Sequence, residues 1–118
     1  MSRFLIVDDS RVIRQIIHDE LEGAGHTVVG EAGTGRDAIA LCRTARPDVV
    51  TMDITMDDMD GVEAIRTITK FAPDTKVIVV SALSDDQLHP QLAALGVTAY
   101  IQKPFTVDKF IEQLNRLL

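Results

Sequence analysis

The strict alternation of two kinds of segment constrains this chain more than any other feature. Short β-branched apolar runs bounded by turn residues fall at Phe4–Val7, Thr27–Gly30, Val49–Met52, Val77–Val80 and Ala99–Ile101, and each reads as a buried strand. Between them lie longer stretches with apolar residues at three- and four-residue spacing. Val12, Ile13, Ile16, Ile17 and Leu21 share one face of the first. The others are Gly35–Ala45, Gly61–Phe71, a stretch before Gly96, and Val107–Leu118. Strict β-α order implies an α/β fold: five parallel strands, right-handed crossovers, and helices on both faces. Strands that are apolar almost throughout agree, because both faces of such a sheet are covered.

The punctuation fits this reading. Ser10 and Thr34 can cap the first two helices, Gly25 can close the first, Pro47 falls beyond the second, and Gly96 follows the fourth. Pro90 interrupts the pattern. Inside a helix it lacks a donor and clashes with the preceding turn, whereas the first helical position tolerates it. The fourth helix is therefore expected to start near His89-Pro90, with residues 84–89 left as a loop.

A chain of 118 residues is expected to form one domain, residues 1–118. Its formal charge of −6 argues against direct nucleic-acid binding, and an aromatic content of 4% with no Trp argues against a base-stacking platform. Cys42 is the only cysteine, which excludes an internal disulfide or a cysteine metal cluster; it reads as a small buried hydrophobe. The opening apolar run is far too short to span a membrane, and a cytoplasmic location is the expectation.

In an open parallel sheet, ligands bind beyond the carboxyl ends of the strands. Asp8 and Asp9 follow the first strand, Asp53 the third, Ser81 the fourth, and Lys103-Pro104 the fifth. Three converging carboxylates repel one another unless a cation joins them, and a hard divalent ion such as Mg²⁺ suits oxygen donors. A lysine and a hydroxyl beside that ion supply what a phosphoryl group needs at its oxygens. An aspartate can itself be the nucleophile. The chain lacks a Gly-x-x-x-x-Gly-Lys-Ser/Thr loop, so nucleoside triphosphate binding is unsupported.

The segments Phe4-Leu5-Ile6-Val7-Asp8-Asp9-Ser10, Met52-Asp53-Ile54-Thr55-Met56, Met59-Asp60-Gly61, Val80-Ser81-Ala82 and Lys103-Pro104-Phe105 occur in that order along the whole chain. Together they resemble the receiver domain of two-component response regulators, and in size its stand-alone chemotaxis members. The resemblance implies a flavodoxin-like three-layer sandwich with strand order 2-1-3-4-5. It implies phosphorelay signalling, with Asp53 accepting a phosphoryl group from a phosphohistidine on a sensor histidine kinase. Asp9, Asp53 and the backbone carbonyl of Thr55 would bind Mg²⁺ directly, and Asp8 through water. Lys103 and the Ser81 hydroxyl would meet the phosphoryl oxygens, with small Ala82 leaving room. Tyr100 would be an aromatic switch coupled to Ser81, and Lys103-Pro104 a cis peptide. The implied output is altered affinity for a partner protein such as a flagellar motor switch component, by a phosphoacceptor rather than an enzyme.

Some positions depart from the family pattern. Asp57 stands where proline is usual and adds charge beside Asp58 and Asp60, which is expected to attract Mg²⁺ electrostatically. Thr55 and Leu83 occupy the positions that tune dephosphorylation, and neither orients a water well. His18, His26 and His89 do not suggest a phosphotransfer module, because such modules are helical bundles. Two other readings stand beside the stand-alone receiver. One is a receiver cut from a longer regulator with a DNA-binding or enzymatic output domain. The other is a metal-dependent phosphatase on a similar core, but that reading wants a cap insertion or a second aspartate where Thr55 stands, and neither is present.

Overall fold

Each strand forms where the apolar runs fall. The computed structural model describes residues 2–54, 61–82, 85–97 and 99–117, with backbone alone at 85–89 and 117. Thr55, Asp57, Asp58, Asp60, Leu83 and Ser84 lie outside the described residues. The strands are β1 (Arg3–Val7), β2 (Thr27–Ala32), β3 (Val49–Met52), β4 (Lys76–Ser81) and β5 (Ala99–Gln102). They pair in parallel in the order β2-β1-β3-β4-β5. The helices are α1 (Arg11–Gly23), α2 (Gly35–Ala45), α3 (Gly61–Phe71), α4 (Asp85–Ala94) and α5 (Val107–Leu117).

Strand alternation divides the core in two. Leu5, Val7, Val50, Met52, Val77 and Val79 pack with Ala38, Cys42, Ala64, Ile65, Ile68 and Leu92 of α2, α3 and α4. The intervening Phe4, Ile6, Val49, Ile78 and Val80 pack with Ile17, Leu21, Phe110 and Leu114 of α1 and α5. The result is the expected three-layer sandwich. Cys42 is buried as anticipated, and burial pushes its thiol up to about 11, well away from reactive thiolate character.

The caps also follow the sequence. The Ser10 hydroxyl accepts from the Ile13 amide at 3.3 Å, and the Thr34 hydroxyl from the Asp37 amide at 3.1 Å. Gly25 and Gly96 take positive φ just past α1 and α4, at 91° and 84°. At the end of α2, Arg3 donates to the carbonyls of Ala45 and Arg46, both at 2.8 Å, satisfying acceptors that the helix leaves open. Among the described residues, no helix is long and apolar enough to cross a membrane.

One expectation is overturned. The fourth helix does not wait for Pro90; α4 begins at Asp85 and carries the proline in its interior. Pro90 itself is exposed, so its ring takes no space from the core. Leu92, buried to 2% exposure, ties the turn after the proline into the core. Burial of Leu92 offsets a penalty that the sequence pattern alone takes as decisive.

Thr51 points to the β1–α1–α5 side of the core. It is opposite Ile6 and Ile78, only 1% exposed, and its hydroxyl has no hydrogen-bond partner. A buried hydroxyl without a partner costs about 1–3 kcal/mol, and valine has nearly the same shape. Thr51→Val is therefore expected to stabilise the fold by about 1 kcal/mol, read as a higher urea midpoint at unchanged slope. A lower midpoint would show that the hydroxyl is satisfied.

Candidate functional site

Register brings the strand ends level. Val7 is opposite Met52, and Met52 is opposite Val79, so Asp8 and Asp53 emerge side by side where β1 and β3 stop. Two backbone bonds keep them there. The Asp8 amide donates to the Ala32 carbonyl at 3.0 Å, and the Asp53 amide donates to the Val7 carbonyl at 2.9 Å. Ser81, at the end of β4, pairs with Gln102 of β5. The next amide along, that of Lys103, donates to the Ser81 carbonyl at 2.7 Å. The Lys103-Pro104 peptide is cis, as the resemblance implies.

The side chains then converge. Asp8 is fully buried, and Asp53 and Ser81 are nearly or fully so; Asp9 is exposed. The Asp8 carboxylate accepts from the Ser10 amide at 2.8 Å through Oδ1 and from Lys103 Nζ at 2.5 Å through Oδ2. Lys103 Nζ also stands 3.6 Å from Asp53 Oδ2. Carboxylate oxygens of Asp8, Asp9 and Asp53 all lie within 4.8 Å of one another. Oxygen-only donors at this spacing are compatible with a hard divalent cation such as Mg²⁺.

Tyr100 is half-buried on β5 and packs on the core face shared with Leu92 and Val97. Ser81 points to that same face by alternation with Val80. Ala82 is exposed beside the cluster, in an apolar recess with Ile13, Ile16, Pro104, Phe105 and Val107. His18 pairs with Glu31 of β2 at 2.9 Å and Glu22 at 3.6 Å, and His26 accepts from the Ser2 amide at 3.1 Å; neither joins the cluster. The His89 side chain lies outside the described residues.

Two contributors escape a reading of strand ends. Gly61 opens α3 with its amide bonded to the Ile54 carbonyl at 3.0 Å. A Cβ on Gly61 would stand 2.3 Å from the Asp53 carbonyl oxygen and 2.4 Å from Ile54 Cα, so only glycine lets α3 begin this close to Asp53. The Asp60-Gly61 motif marks the position without revealing this approach. Arg14, on α1, donates from Nη1 to the Asp8 backbone carbonyl at 2.6 Å. An arginine within a helix carries no signal of that in one sequence.

Electrostatically the site is costly. Burial raises the Asp8 pKa above its ordinary 3.8; the Lys103 bond and the Ser10 amide bond oppose this, and neighbouring Asp53 adds to it. Between the ordinary and the raised value the folded protein binds more protons than the unfolded chain. This contribution to stability is therefore full at low pH, falls as pH rises through that window, and is a standing penalty above it.

With the geometry in hand, comparison with known proteins places the chain. The family model for the response regulator receiver domain matches residues 4–115. The chemotaxis protein CheY of Thermotoga maritima is 40% identical over 115 residues, covering 98% of this chain and 96% of that protein. Vibrio cholerae CheY4 superposes with a TM-score of 0.92 at 31% identity, covering 100% of this chain and 99% of that one. The CheX–CheY complex of Borrelia burgdorferi with BeF₃ and Mg²⁺ superposes at 0.93 with 29% identity, covering 98% and 87%. The fold and its strand-end cluster are thus those of a phosphorelay signalling domain. The chain belongs to the response regulator receiver domain family.

Two outcomes follow from this geometry. Asp8→Asn should stabilise the metal-free protein at pH 7 by roughly 1–2 kcal/mol in EDTA, and the gain should fade as pH falls below the ordinary carboxylate range. A loss at pH 7 would mean that the Lys103 pairing outweighs burial. Gly61→Ala should lower stability by at least about 2 kcal/mol in urea unfolding, because the clash is with backbone that cannot rotate away; an effect within error would place α3 farther from Asp53.

Proposed function

We propose that Asp53 accepts a phosphoryl group from a phosphohistidine on a sensor histidine kinase, and that the charged state alters affinity for a chemotaxis partner. A flagellar motor switch component is the kind of partner intended. The observation that carries this reading is the nearly buried Asp53 carboxylate held beside Asp8 and Asp9, with Lys103 Nζ 3.6 Å away. Whole-length similarity to chemotaxis relatives supports it over a receiver within a longer DNA-binding or enzymatic regulator. The chain acts as a phosphoacceptor that assists its own loading and unloading, not as an enzyme on a separate product.

An oxygen of Asp53 forms the new bond to phosphorus as the phosphorus–nitrogen bond breaks, and the bonding pair returns to the imidazole, which takes a proton from solvent. Mg²⁺, when bound, would neutralise the carboxylates and the phosphoryl oxygens that crowd there. Asp9 and Asp53 would hold it directly and Asp8 through water; the Thr55 carbonyl, the remaining protein ligand, lies outside the described residues. Lys103 turns from Asp53 to a phosphoryl oxygen without leaving Asp8, because its ammonium has three donors. The Ser81 hydroxyl bonds another phosphoryl oxygen, and its movement frees Tyr100, on the same face of the sheet, to turn inward. Asp57, Asp58 and Leu83, expected to tune cation attraction and dephosphorylation, lie outside the described residues.

The test is incubation with acetyl phosphate, or with a phosphorylated kinase, followed by intact mass with and without Mg²⁺. Wild type should gain one acid-labile phosphoryl group only with the metal, and Asp53→Asn none. Stable uptake by Asp53→Asn would falsify the assignment.

A further inference from the structure

We propose that Arg14 is a positioning residue for the cation site, holding the peptide from which Asp9 projects, with Glu31 as its anchor. The inference rests on the proposed cation binding by Asp9 and Asp53 and adds a residue that touches neither. Its guanidinium spans two elements. Nη1 donates to the Asp8 carbonyl at 2.6 Å, and Nε faces Glu31 Oε1 of β2 at 3.4 Å. The Arg14 side chain is largely covered, at 19% exposure, and that of Glu31 is 33% exposed. Behind Arg14, His18 pairs with the other oxygen of Glu31 at 2.9 Å, so that carboxylate is held from two sides.

The Asp8 carbonyl belongs to the peptide that links Asp8 to Asp9. Asp8 is held by its amide, bonded to Ala32, and by its carboxylate, bonded to Ser10 and Lys103, while Ser10 accepts from the amides of Ile13 and Arg14. Asp9 is exposed, so packing does little to orient it. The Arg14 bond fixes the plane of the Asp8–Asp9 peptide and with it the direction of the Asp9 side chain. Gly33 leaves room for this, since a Cβ there would come within 3.2 Å of Arg14 Nη1. Glu31 also offsets the arginine's charge, so the strut adds little repulsion to a cation nearby.

Charge and positioning predict opposite signs, which makes the proposal testable. Removing a cation near a metal site should tighten Mg²⁺ binding if charge alone matters. Removing a strut should weaken it. Calorimetric titration of the full chain with Mg²⁺, well below the unfolding temperature, should show Arg14→Ala weaker than wild type by about tenfold, the usual scale for losing a group that orients a metal ligand. Arg14→Lys keeps the charge but cannot reach both acceptors, and it should be weakened too. Glu31→Gln keeps an acceptor for Arg14 but removes the offsetting charge; it should also weaken binding, less so as salt rises. If Arg14→Ala does not fold, the lysine and glutamine variants carry the test. Unchanged or tighter Mg²⁺ binding in the arginine variants, with wild type binding normally, would overturn the role of Arg14. Absence of Mg²⁺ binding in wild type would instead overturn the cation reading beneath it.

Discussion

The bond between Lys103 and Asp8 joins the two ends of the sheet's functional edge. It links the turn after β5 to the end of β1 across 95 positions of sequence, over the ends of β3 and β4. A fully buried carboxylate would otherwise carry a large desolvation penalty, and a lone lysine in this crevice would have no reason to point inward. Each ion makes the other's placement tenable, yet the balance still falls against Asp8, whose pKa stays raised by burial despite the lysine. The site is under electrostatic load before any ligand arrives. Its stability is supplied by the apolar layers on both sides of the sheet, where Phe4, Leu5, Ile6, Ile65, Ile78 and Phe110 are almost wholly buried.

That division of labour explains what could be read from sequence. Strands buried on both faces must be apolar for most of their length, so β1, β3 and β4 show as runs, and polar residues that interrupt them at the carboxyl end stand out. Asp8, Asp9, Asp53, Ser81 and Lys103 were legible for that reason. Helices α1 and α2 were legible through periodicity and hydroxyl caps. The start of α4 was not, because its outcome depends on a difference between two tertiary effects: the proline's lost bond and the burial of Leu92. The roles of Gly61 and Arg14 were also hidden. One depends on how closely two backbones approach, and the other on which carbonyl a long side chain reaches; neither leaves a pattern in a single sequence. Thr51 was invisible in the opposite sense, since a β-branched residue in a strand raises no question until its hydroxyl is found without a partner.

The charge balance of the cluster sets how strongly the proposed reaction would be felt around it. Asp8, Asp9 and Asp53 against Lys103 leave two negative charges, which a divalent cation would cancel. In the proposed reaction the phosphoryl group brings roughly two negative charges and consumes the one on Asp53. The loaded, metal-bound cluster therefore differs from the unloaded one by about a single charge. A change of that size is modest in water but large between walls as apolar as these. It is not felt equally by all the neighbours. Asp8 and Asp9 are fixed by β1 and its turn, whereas Lys103 and Ser81 sit on the two strands at one side of the sheet, joined by the Lys103 amide and the Ser81 carbonyl. Movement of either pulls on β4 and β5 together. Tyr100 lies two residues before Gln102 on the same strand and shares the face of Ser81. In the proposed reaction topology would set the direction of the signal: Asp8 and Asp9 follow β1, whereas Lys103 and Ser81 tie β4 to β5 at the other side of the crevice.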